Sequence, residues 1–145
     1  MRSQSMPLPE INGDVPKLVG KVCQALLVQQ HWYKGVLNEE VNTAYIACDE
    51  HWYCLYIDCG IIYWRGDRKP EEFHAPEFAA HYPVIDVGTQ RDCVGRVISD
   101  LMMREDESTT EIEIRFEGAD AIVFRNTQDR THICSTTDQP NDQKR

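Results

Sequence analysis

The chain has 145 residues, 41% of them hydrophobic and 27% charged, an ordinary balance for one globular domain that argues against wholesale disorder. Fifteen Lys and Arg against twenty-four Asp and Glu give a formal charge of −9, which speaks against a surface for nucleic acid or an anionic membrane and fits a basic partner better. No apolar run reaches the length of a membrane span and the N-terminal region lacks a signal-peptide pattern, so a soluble cytoplasmic protein with reduced cysteines is expected.

In chain order, residues 1–14 are rich in proline and polar side chains and read as a flexible lead-in to a single domain over residues 15–134. Asp14 and Pro16 suit a helix start, and Leu18, Val19, Val22, Cys23 and Leu26 follow at helical spacing, which predicts a first helix ending near Gln30. TAYIAC, WYCLYID and IIYWR then read as strands, with DEH and Gly60 as the breaks between them. WYCLYID carries apolar bulk on both faces, so a central strand is expected there.

The loop from Gly66 to Pro83 has room for one helical turn at Pro76 to Ala80, and VIDVG follows as a short strand. Val94, Val97, Ile98 and Leu101 fall at i, i+3, i+4 and i+7 behind Asp92, which predicts a second helix. EIEIRFE alternates cleanly, with Ile112, Ile114 and Phe116 on one face and Glu111, Glu113, Arg115 and Glu117 on a wet one. AIVFR and RTHIC complete the domain, and residues 135–145 read as a disordered tail. The expected fold is α+β, an antiparallel sheet of about five to seven strands with two main helices packed on one face.

Four kinds of chemistry compete with packing as the reading of these residues. Cys48, His51, Cys54 and Cys59 have zinc-ligand types, but a strand sends Cys54 and Cys59 to opposite faces, and the spacing lacks paired knuckles. A thiol nucleophile would draw on Cys54, Cys59 or Cys93, with His51, His74, His81 or His132 and Asp58 or Asp86; nothing in the spacing brings a base to a thiol. The acidic runs at Arg104 to Glu107 and Glu111 to Glu113 lack any cation-loop pattern, and no phosphate-binding glycine motif is present. Packing is therefore the preferred reading, with Trp52, Tyr53, Tyr56, Tyr63 and Trp64 as sheet core, and no catalytic residue, cofactor or metal site is expected.

The succession of WYCLYIDCGIIYWR, an acid- and proline-containing loop, YPVIDVG, a helix and EIEIRFEGADAIVFRNTQDRTHI, over most of Thr43 to Cys134, resembles small bacterial immunity proteins of polymorphic or contact-dependent toxin systems. That resemblance implies a non-enzymatic partner that neutralises a cognate, basic toxin domain, such as a nuclease, by stoichiometric occlusion. The residues expected to meet the toxin are Glu71, Glu72, Glu111, Glu113 and Glu117, with Trp64 as anchor. Two alternatives stand beside it: a small enzyme or ligand-binding domain whose site is assembled from scattered His, Asp and Cys residues, and a subunit of a homo-oligomer.

Overall fold

The computed structural model describes residues 8–135. Four strands, β2 (Ala25–Tyr33), β3 (Val36–Cys48), β4 (His51–Asp58) and β5 (Ile61–Gly66), follow one another as antiparallel neighbours. Each is joined to the next by only two residues, both with positive φ: Lys34 and Gly35, Asp49 and Glu50, Cys59 and Gly60. That is the signature of the hairpin turn whose twist matches the strands it connects. Ile11–Asn12 (β1) adds in parallel to β5, so the lead-in is pinned to the sheet from Ile11 onward. On the far side of β2 lie β6 (Phe73–Ala75), β7 (Ala80–Tyr82) and β8 (Val84–Ile85), with a 3-10 turn at Pro76–Phe78 where a helical turn was expected.

After the four-residue helix α1 (Val87–Gln90) the chain forms a second sheet in the order β12-β11-β10-β9, from β9 (Ile98–Glu105), β10 (Thr109–Phe116), β11 (Ala119–Thr127) and β12 (Arg130–Ser135). The expectation of one sheet of five to seven strands under two helices is thus corrected to two sheets, of eight and four strands, with one short α-helix among the described residues. The two helices fail for local reasons. Gly20 has a φ of 90°, and the stretch around it pairs with the chain ahead of β9 through Gly20 N–H to Ile98 and Cys23 N–H to Arg96. Leu18, Cys23 and Leu26 are buried while Val19 and Val22 of the supposed helical face are exposed. In the second case Asp92 and Gly95 both have positive φ, which no α-helix admits, and the helix cap is Asp86, whose carboxylate accepts from the N–H and hydroxyl of Thr89.

The core lies between the sheets, in one cluster that joins Leu26, Ile46, Leu55, Ile62 and Trp64 of the first with Ile98, Ile112, Ile114, Ile122 and Phe124 of the second. Trp64 is 1% exposed, and its indole N–H donates to the sulfur of Met103 across the gap at 3.4 Å. Along one flank the sheets are sewn together by side chains. Thr131 N–H donates to the Glu39 carboxylate, Arg130 donates to the Asn38 carbonyl, and His132 meets Glu40 at 3.1 Å. Residues 1–7 and 136–145, which hold half of the expected lead-in and almost all of the expected tail, lie outside the described residues.

Candidate functional site

Where β4 turns into β5 and where β11 turns into β12, two tight turns from different sheets meet. Cys59 and Gly60 form the first; Gln128 and Asp129, also both at positive φ, form the second. The backbone N–H of Cys59 donates to Oδ1 of Asp129 at 3.0 Å and locks one turn to the other. Asp58, the last residue of β4, completes the group: the ligating atoms of Asp58, Cys59 and Asp129 all lie within 4.8 Å of one another, and all three residues are exposed. Among the described residues this is the one such gathering of potential metal ligands.

The electrostatics at this point are one-sided. Asp58, then Asp129, hold the Cys59 thiol above its ordinary pKa, because both carboxylates oppose a neighbouring thiolate. A divalent cation would reverse that balance by drawing all three donors to itself. Donors on one tetrahedral zinc would sit about 3.3–3.8 Å apart, given metal–ligand bonds of about 2.0–2.3 Å. The present separations are at most 4.8 Å, and rotation of these exposed side chains would be needed to bring the donors to that spacing. The group also stands between two open clefts, one of about 350 Å³ lined by Glu39, Tyr56, Asp58 and Asp129, the other of about 590 Å³ lined by Glu10, Cys59, Glu105 and Asp129.

The spacing-based metal candidates disperse. Cys48 and His51 face each other across the turn from β3 to β4, Cys54 is buried further along, and Cys59 lies at the opposite end of β4, roughly 25 Å from His51 at the rise of a strand. None of the six cysteines forms a disulfide. Burial pushes the thiols of Cys23, Cys48 and Cys93 up to about 12, 11 and 11, so these are packing groups and not nucleophiles. His74 and His81 stack edge to face across the β6–β7 pair at 5.3 Å, away from Asp86, which is occupied in capping α1.

The residues expected to dock a toxin have other surroundings. Glu113 is buried at 4% exposure, accepting from Arg104 at 2.6 Å and from Arg115 at 2.7 Å, while Glu111 pairs with Arg104 at 2.8 Å and Arg125 at 2.5 Å. Arg104, Arg115 and Arg125 stand among Glu111, Glu113 and Asp100, so this patch of the second sheet is a balanced ion-pair network and not an acidic face. Burial alone would raise the pKa of Glu113, but hydrogen bonds from Arg115 and Arg104 outweigh it and hold the carboxyl below its ordinary value. Trp64 is in the core. Glu117 is exposed in the turn to β11, Glu72 accepts from the Val84 N–H, and the Glu71 carbonyl accepts from Gln29.

Against family models, curated proteins and solved structures, the chain matches none. The expected role of an acidic inhibitor that occludes a toxin is corrected on the site itself: the clustered chemistry is a carboxylate and thiol group between two clefts, which fits the ligand-binding alternative better. Asp58, Cys59 and Asp129 are a candidate set of metal ligands that the spacing-based search did not assemble. Asp129 is the residue sequence reasoning missed, and its only signal was the two-residue gap between two alternating strands. Among the described residues no helix is long and apolar enough to cross a membrane.

Proposed function

We propose that this protein is a small ligand-binding domain that holds a divalent cation at Asp58, Cys59 and Asp129. The observation that carries the reading is the convergence of two carboxylates and a thiol within 4.8 Å at a junction of two turns tied by a backbone hydrogen bond. One sulfur and two oxygen donors suit zinc, or cobalt in its place, better than the hard cations, which take oxygen alone. Three protein donors also leave coordination positions open, the arrangement of catalytic zinc and not of closed structural zinc. Metal-assisted hydrolysis in the adjoining clefts is therefore the second reading that this geometry favours. The absence of any disulfide among six cysteines supports a reducing, cytoplasmic setting.

Cobalt titration of the full chain tests the proposal. One equivalent of Co²⁺ should produce thiolate-to-metal charge-transfer absorption, lost in Cys59→Ser and weakened about tenfold or more in Asp129→Asn, as is usual when one ligand of a small site is removed. Retention of the band in Cys59→Ser with loss in Cys134→Ser would move the site elsewhere, and absence of any band would end the metal reading.

A further inference from the structure

The larger cleft, beside the metal group, has a floor that the fold itself leaves unsatisfied. Across the inner face of the second sheet, Glu105, Thr110, Asn126 and Thr131 stand directly opposite one another in register, one on each of β9 to β12. They continue the apolar faces of Ile112, Ile114, Ile122 and Phe124, so a row of polar side chains ends the core where the sandwich opens. Thr110 and Asn126 are each 5% exposed. The Asn126 amide donates to the Thr131 hydroxyl at 3.0 Å, but its carbonyl oxygen has no hydrogen-bond partner among the described residues, and neither does the Thr110 hydroxyl. A buried polar atom without a partner is costly to leave so, and two side by side at the mouth of a cleft ask for a ligand. The Thr110 hydroxyl points toward the cleft's rim: a methyl group placed on Gly60 would stand 3.9 Å from it.

The rim defines what that ligand is. Glu10, Glu105, Asp106, Glu107 and Asp129 line the cleft, and none of its lining residues is basic. With the Asn126 carbonyl and the Thr110 hydroxyl these groups are mainly acceptors, so the complement is a cation that carries N–H donors. A single metal ion does not answer, because it needs several ligand atoms to converge on one point, and the one converging group among the described residues is Asp58, Cys59 and Asp129. Negative charge spread along about 590 Å³ calls for positive charge spread along a chain. We infer that this cleft binds a short linear polyamine, with one terminal ammonium seated on Thr110 and Asn126 and the remaining amines along the carboxylate rim.

The ammonium seat uses none of Asp58, Cys59 and Asp129; only the rim shares Asp129 with the metal group, so the seat is tested with the metal removed. The test is a ¹H–¹⁵N correlation titration of the full chain, freed of metal by dialysis against chelating resin, with spermidine at constant ionic strength. Tetramethylammonium, which carries charge but no N–H, is the control. Spermidine should give saturable shifts at Gly60, Thr110 and Asn126 that tetramethylammonium does not. Thr110→Val, which keeps shape and removes the hydroxyl, should weaken binding about tenfold, the worth of one hydrogen bond to a charged group. The exposed pair Glu10→Gln and Glu107→Gln should also weaken it severalfold, and it tests the rim independently of how Thr110→Val folds. Equal shifts with tetramethylammonium, an unchanged affinity in Thr110→Val, or no saturation with spermidine would each overturn the inference.

Discussion

Replacing Glu113 by Gln keeps the shape of the side chain and removes its charge, so the surroundings of this one carboxylate set the cost. It is buried and accepts one hydrogen bond from Arg104 and one from Arg115. Arg104 is two-thirds covered, so its charge-assisted bond is worth about 2 kcal/mol, within the range for bonds to charged groups. Arg115 is 53% exposed and competes with water, so its share is below about 1 kcal/mol. Arg104 keeps Glu111 in the variant, which limits the damage. The expected loss is about 2–3 kcal/mol, or a fall in Tm of roughly 6–12 °C for a domain of this size.

The same two bonds make stability depend on pH. The folded pKa of Glu113 lies below its unfolded value, so its contribution is complete above the unfolded value, roughly 4.3, and disappears as pH falls through the folded one. Urea denaturation of wild type and Glu113→Gln should therefore show a gap at pH 7 that narrows below about pH 4. A loss under about 0.5 kcal/mol at pH 7, or a gap that widens in acid, would refute the view that these arginines hold a buried charge.

Thiol labelling of the native protein should modify Cys59 first, despite its raised pKa, because it is exposed, while Cys23, Cys48 and Cys93 wait for unfolding; simultaneous labelling of all four would contradict their burial. Gly13→Ala should detach β1 and cost about 1–3 kcal/mol, since the new methyl group would meet the Trp64 carbonyl oxygen at 2.1 Å and φ at Gly13 is 103°. Unchanged stability with the Ile62 N–H bond to the Glu10 carbonyl intact would rule that out, as read by hydrogen exchange at Ile62.

The strands that could be read from residues were those whose alternation met a turn at each end. β4, β5 and β10 through β12 lie within a few residues of expectation, and β4 is a central strand. β2 and β9 misled because their leading residues fall at helical spacing, and nothing in Leu18 to Leu26 announces that Gly20 takes a left-handed backbone and joins the chain beside Ile98. Periodicity also cannot separate one sheet from two, since both present one apolar face inward. The site was illegible for a different reason. Local spacing tied Cys59 to Cys48 and His51, which an extended strand carries away, while its real neighbour, Asp129, is 70 residues distant and arrives only when two turns meet. Glu113 misled because alternation tells which face a carboxylate takes, not whether the guanidiniums of Arg104 and Arg115 will cover it.

The flank where Glu39 receives Thr131 and Asn38 receives Arg130 joins residues 92 positions apart. Contacts of such separation are closed late, after a long loop has given up its freedom. A ribosome-bound chain that has exposed β2 to β5 thus holds half a core with its greasy side uncovered, and it waits for the last strand. The order of synthesis makes β12 the clasp of the domain, and the interval before it emerges is when this chain is most open to association with its own kind.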